Sequence, residues 1–238
     1  MKSKTYKNIF LVTTQNGREE IVYDFMQSKA MQQAIKQEDL ILLCFADAEK
    51  TKTKRTDYGH NVRELFLDCP EKYAQLSLKT LKSIQYCCKN FKFERLHKCD
   101  DNKMINEEVY DINYNKYDFQ GCCKHQIPRQ HDRYINKNKH KCIKLPTHFL
   151  KLGLDQCEKR TFDRWSKKRG IWVDLWHYDN EVWYSNWKPY SISYNFAQIL
   201  SKADKYEFLY RKYLAGCEDH MIGKVYKDLQ LYFNLTAE

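Results

Sequence analysis

The sequence predicts an α/β protein built on a mostly parallel central sheet with helices packed against it. Two observations carry that reading. Short apolar, β-rich runs closed by polar residues occur at 7–14 (K-N-I-F-L-V-T-T) and 39–45, the pattern of strands covered on both faces. Helical patterns separate such runs, so the chain reads strand, helix, strand, helix, strand as far as Asp101.

The first strand, 7–14, is closed by Gly17. Residues 19–36 predict one amphipathic helix with Ile21, Phe25, Ala30 and Ala34 as its apolar positions. The second buried strand covers 39–45, a charged connection runs over 46–58, and 65–67 is a short apolar strand. The strongest helix is 71–90. Leu76, Leu78, Leu81, Ile84 and Cys88 form its apolar face, and Lys79 and Lys82 fall elsewhere. Residues 91–98 lead into a strand that ends at Asp100 and Asp101. Beyond it, 108–119 and 172–194 are rich in Tyr and Trp and read as strands and long loops, whereas 200–212 and 219–230 read as helices. No repeat or linker is visible. The expectation is one domain over 1–238, with a nucleotide-side lobe at 1–106 and a more irregular, substrate-side lobe at 107–238.

Composition narrows the class. With 238 residues, 42% hydrophobic and 15% aromatic, there is ample material for a core. Only 7 Gly and 4 Pro exclude collagen-like and broadly disordered chains. The apolar run at 9–12 is too short for a signal core or a membrane span, and no window elsewhere reaches 18 apolar residues. The net charge of +10 is local: 124–169 carries 14 basic and 4 acidic residues, leaving 27 of each sign elsewhere. Such a segment suits phosphate groups, anionic lipid or nucleic acid; it equally serves as a solvated face that aids solubility. None of the ten cysteines forms a C-x-x-C pair, so the structural zinc signature is absent. Cys44 lies inside an apolar run and Cys87 and Cys88 inside a helix, which predicts free cysteines of a reducing compartment; a disulfide-bearing secreted domain is the alternative.

Two acidic motifs carry the chemistry. Asp100 and Asp101 follow a strand, and ligands of open parallel sheets bind outside the carboxyl ends of strands. Oxygen ligands there suit a divalent cation holding a diphosphate; the plain alternative is a polar turn. Glu218 and Asp219 open a helix, where they serve either as its N-terminal charges or as a general base beside a substrate. A chain that only bound nucleic acid would find these acids repulsive.

Several stretches recur in a set order: Arg18 with Ile21, Phe66-Leu67-Asp68 before Tyr73, L-S-L-K-T-L at 76–81, K-C-D-D-N-K-M-I-N at 98–106, Pro189-Tyr190 followed by Ile199-Leu200-Ser201, and E-D-H-M-I-G at 218–223. Together they resemble the beta-1,3-galactosyltransferase-like family, inverting glycosyltransferases of the GT-A fold. That family reads L-T-L-K-T-L, K-T-D-D-D-V-F-V-N and E-D-V-Y-V-G at the matching places. The resemblance spans mainly 65–106 and 189–225. It implies transfer of a hexose or N-acetylhexosamine from a UDP-sugar to a hydroxyl of an oligosaccharide or glycolipid acceptor, forming a beta-1,3 linkage. It implies Asp219 as general base, with Glu218 as second choice. Arg18, Lys98, Asp100 and Asp101 would line the donor site, Asp100 near the ribose or metal and Asp101 near the donor sugar. Mn²⁺ or Mg²⁺ would be held at Asp100 and Asn102. Lys98 either steadies the acidic cluster or forms a peripheral ion pair.

Departures from the family pattern bear on that reading. Asn102 replaces the third acid, which weakens or alters metal binding. Val22 and Phe25 replace the second Arg and the aromatic of the early stretch, and 191–197 replaces the glycine-rich acceptor loop. No His follows His220. Trp172, Trp176, Trp183, Tyr184 and Trp187 suit either sugar faces or packing, and His177 and Asp179 are similarly open. The chain opens at its first strand without an anchor, which predicts a cytoplasmic enzyme, peripheral to the inner membrane face through 124–169; the Golgi lumen is the alternative if an anchor was removed. The rival readings are a catalytically silent glycan-binding homologue and a basic nucleic-acid-binding protein.

Overall fold

The computed structural model describes residues 4–46, 49–69, 71, 76–103, 107–110, 116–120, 123–126, 181–184, 189–202 and 218–236. Its elements are β1 (Thr5–Thr13), α1 (Glu19–Met26), α2 (Lys29–Lys36), β2 (Leu40–Ala46), β3 (Lys52–Arg55), β4 (Val62–Leu67), α3 (Leu76–Asn90) and β5 (Lys92–Asp100). After a 3-10 turn at Glu107–Tyr110 come β6 (Phe119–Gln120), β7 (Cys123–Gln126), β8 (Glu181–Tyr184), β9 (Tyr190–Ser193), α4 (Tyr194–Ser201) and α5 (Glu218–Phe233).

Seven strands form one sheet in the order β3-β4-β2-β1-β5-β9-β6. The four central strands β4, β2, β1 and β5 are parallel, and β3 and β9 join antiparallel to them. The fold is therefore mixed α/β with a mostly parallel centre, and strands from both sides of residue 106 share the sheet. β7 and β8 pair separately.

Period-two alternation divides the core. Ile9, Leu11, Leu42 and Leu96 face α3, α4 and α5 through Leu81, Ile84, Phe196, Leu200, Ile222 and Val225. Phe10, Val12, Ile41 and Leu43 face α1 and α2 through Val22, Phe25, Met26 and Met31. Helices on both faces explain why β1 and β2 are continuously apolar. Among the described residues no helix is long and apolar enough to cross a membrane. Cys44, Cys69, Cys87 and Cys99 are free and buried, and Cys88 is free and half-buried. Burial pushes the Cys44 and Cys88 thiols up to about 11.

The structure corrects several expectations. Residues 19–36 form two helices. Ser28 has extended backbone and starts α2, its carbonyl accepting the Gln32 N–H at 2.9 Å. This turn leaves Ile21 exposed while Phe25, Ala30 and Ala34 stay in the core. The connection at 46–58 holds β3, a fully exposed strand with no apolar face to betray it; lysines suit such an edge. α3 buries Ser77, Lys79, Thr80, Leu81, Ser83, Ile84 and Cys87, so Lys79 lies on the packed face and Leu76 and Leu78 at its margin. Small polar side chains fill that face, which apolar periodicity alone does not register. α4, at Tyr194–Ser201, starts at the end of the 172–194 stretch read as strands and loops; it is capped by Ser193 Oγ, which accepts the Phe196 N–H at 3.1 Å. Of the helix expected at 200–212, only 200–202 are described. Residues 203–217 lie outside the described set.

A buried polar chain crosses the sheet at its amino-terminal half. His97 stacks on Phe10 with ring centroids 4.8 Å apart, and its Nε2 lies 3.0 Å from Asn8 Oδ1. Asn8 in turn donates twice to Asp39, at 3.0 and 3.1 Å. Burial, with Arg95 nearby, pulls His97 down to about 3 from its ordinary 6.5. The folded protein keeps this imidazole neutral, whereas the unfolded chain protonates it below pH 6.5. Its contribution to stability is therefore complete above that pH and is lost as pH falls toward 3. At pH 5 the loss amounts to about 2 kcal/mol. Urea denaturation at pH 7.5 and pH 5 should show His97→Gln removing that much of the acid sensitivity. Equal pH dependence in both proteins would contradict this account.

Candidate functional site

The carboxyl ends of the parallel strands gather the charged side chains. β1 and β5 end side by side, with Thr13 in register with Asp100. The chain then turns, and Asp101 N–H donates back to Thr13 O at 3.1 Å. That bond sets the buried Asp101 carboxylate against the end of β1. Thr14 Oγ1 donates to its Oδ2 at 2.7 Å, and Arg18 Nη1 forms an ion pair with Oδ1 at 2.9 Å. Arg18 arrives there through a tight loop in which Gly17 has φ of +81°, the left-handed region that favours glycine.

Residues two apart on a strand share a face, so Lys98 and Asp100 lie together on β5. Lys98 Nζ stands 2.9 Å from Asp100 Oδ1 and 2.9 Å from Glu218 Oε2. Tyr190, at the start of β9, donates its hydroxyl to the other oxygen of Glu218. Lys98, Glu218 and Tyr190 are all buried, while the Asp100 side chain stays 34% exposed. Lys98 is thus a buried bridge between two carboxylates rather than a peripheral pair.

A third cation stands behind them. Lys79 of α3 is buried, with Nζ 2.5 Å from Thr14 O and 3.1 Å from both Glu71 oxygens. Glu71 also accepts the Ala46 N–H at 3.0 Å, tying the ends of β1 and β2 together.

The two aspartates differ electrostatically. Burial works against ionisation of Asp100, but Lys98, with Lys103 and Arg18 behind it, outweighs burial and holds the carboxyl below its ordinary value. At Asp101 burial prevails over Thr14 and Arg18, and its carboxyl lies above its ordinary value.

Arg18, Lys98, Asp100, Asp101 and Glu218, all named from sequence, therefore come together in one cluster. Asn102 follows in the turn and is exposed. Asp219 falls in the first turn of α5, and its side chain lies outside the described residues. So do Trp172, Trp176, Trp187, His177, Asp179 and the basic segment from 127 to 169, together with the side chains of Trp183 and Tyr184 in β8. The 191–197 segment, expected at the acceptor, forms the end of β9 and the start of α4, with Ser191, Ile192, Phe196 and Ala197 buried. Thr14, Glu71 and Lys79 were not singled out as site residues by sequence reasoning, and Tyr190 appeared there only as part of a motif. The one signal was a lysine framed by leucines at 78 and 81.

Among the described residues no group of three or more His, Cys, Asp or Glu side chains is placed to hold a metal ion. The Asp100 side chain is nevertheless 34% exposed, and Asn102, two residues on, is exposed, so both present oxygen atoms to solvent. That fits a divalent ion held mainly by substrate phosphates, which takes only one or two protein ligands. A cavity of about 380 Å³ lies elsewhere, toward the amino ends of β1 and β5, bordered by Lys7, Asn8, Arg95, Tyr110 and Tyr117.

Fold and site together define an open α/β protein with a compensated acidic cluster at the carboxyl end of its parallel strands. No protein-family model and no curated protein matches the chain.

Proposed function

We propose that this chain is an inverting GT-A-type glycosyltransferase that moves a hexose or N-acetylhexosamine from a UDP-sugar to a hydroxyl of a glycan or glycolipid. One observation carries the reading. The K-C-D-D-N and E-D stretches, 120 positions apart, meet through the Lys98–Glu218 ion pair at the carboxyl ends of the parallel strands, outside which ligands of open α/β sheets bind.

In this reading the acceptor hydroxyl oxygen attacks the anomeric carbon from the face opposite the diphosphate. The new glycosidic C–O bond forms as the bond to the diphosphate oxygen breaks, inverting that centre. The Asp219 carboxylate takes the acceptor proton. Glu218 is unsuited to that role because both of its oxygens are engaged with Lys98 and Tyr190. Asp101, expected near the donor sugar, is buried with both oxygens engaged, so its part is to hold the partly exposed Arg18 beside the donor site, while Lys98 orients Asp100 toward the ribose. Mn²⁺ or Mg²⁺ held at Asp100 and Asn102 would supply positive charge against the departing diphosphate. The beta-1,3 linkage, a cytoplasmic location and peripheral contact with an anionic membrane through 124–169 belong to the same proposal.

The test is UDP release from UDP-galactose, UDP-glucose and their two N-acetylated counterparts, with and without Mn²⁺. Release from one donor, stimulated by metal, is the expected result. No release from any donor, together with no UDP binding by calorimetry, would replace the enzyme with a silent glycan-binding homologue.

A further inference from the structure

The Pro189-Tyr190 motif has no part in the chemistry above, yet its tyrosine reaches the centre of the cluster. We propose that Tyr190 is a positioning residue that anchors the first turn of α5 and so fixes the general base Asp219; the catalytic half of this inference rests on the glycosyltransferase reading.

Tyr190 opens β9, which pairs antiparallel with β5 so that Tyr190 stands opposite Lys98. Its ring is buried and packs edge-on against Phe119, with centroids 5.8 Å apart. The ring position is thus set by the core, independently of the hydroxyl. The hydroxyl donates to Glu218 Oε1 while Lys98 Nζ holds Oε2 at 2.9 Å. Glu218 is the first residue of α5 and is buried. Two donors from two neighbouring strands therefore grip both oxygens of one carboxylate, which fixes both the place and the rotation of that side chain. Asp219 is the next residue, so its backbone position follows from the grip. Lys98 also holds Asp100 at 2.9 Å. One hydrogen-bonded chain, Tyr190–Glu218–Lys98–Asp100, therefore links the start of the base-bearing helix to the donor side of the site. Misplacement of a reacting group by about 1 Å costs on the order of 100-fold in rate.

Tyr190→Phe keeps the ring and removes the hydroxyl. Expected results are a kcat lowered about 10- to 100-fold with donor KM within about twofold, and amide hydrogen exchange at 218–222 accelerated at least about tenfold. Because Tyr190 acts through Glu218, the double variant Tyr190→Phe/Glu218→Gln should be no slower than Glu218→Gln alone. Unchanged exchange at the start of α5 would overturn the anchor. Accelerated exchange with an unchanged kcat would overturn the catalytic half, and so would additive losses in the double variant. If the unaltered protein releases UDP from no donor, the glycosyltransferase reading and the catalytic half fall together, while the exchange measurement still decides the anchor.

Discussion

Asp219→Asn should lower sugar transfer about 10²- to 10⁴-fold while leaving UDP binding nearly unchanged. Asparagine matches aspartate in size but cannot accept the acceptor proton. The proposed single displacement uses one base and no protein nucleophile, so the variant loses its acceptor for the hydroxyl proton. Glu218 cannot take over, being buried with both oxygens engaged by Tyr190 and Lys98. The measurements are kcat with a productive donor and acceptor, and calorimetric titration with UDP. A variant that retains the kcat of the unaltered protein would remove Asp219 from the mechanism.

Lys98→Met should destabilise the fold by about 3–5 kcal/mol, the cost of breaking a buried ion pair by removing one partner. Methionine fills a similar volume but deprives the buried Glu218 carboxylate of the Lys98 cation that faces its Oε2 at 2.9 Å. Asp100, more exposed, suffers less because water reaches it. For a domain of this size the loss corresponds to a fall in melting temperature of about 10 °C. Thermal and urea denaturation should agree on it. Adding Glu218→Gln to Lys98→Met removes the buried charge and should recover part of the stability. A loss below about 1 kcal/mol would mean that water already solvates the pair.

Much of this fold is written in local pattern. The apolar runs of β1 and β2 have no polar face because helices cover both sides of the sheet, and that alone announces a buried parallel centre. Asp100 and Asp101 were legible because their strand pattern ends on them, and Glu218 because it opens a helix. β3 escaped notice because an exposed edge strand needs no apolar residue. The break at Ser28 escaped because the apolar positions of α1 and α2 fit one continuous period.

The α/β class, the central strands and the acidic pairs of the candidate site can all be read from the sequence alone. These are set by residue-to-residue periodicity and by charges placed at element ends, both local properties. Which charges answer one another is set by the packing of the elements: Lys98 to Asp100 and Glu218, Arg18 to Asp101, Lys79 to Glu71. The burial of Tyr190 and Lys79 follows from the same packing. Such pairings join residues as far as 120 positions apart. Lysine and tyrosine look solvent-loving in sequence, and a buried cation is stable only where the fold brings it partners, so its role is set by what folds against it.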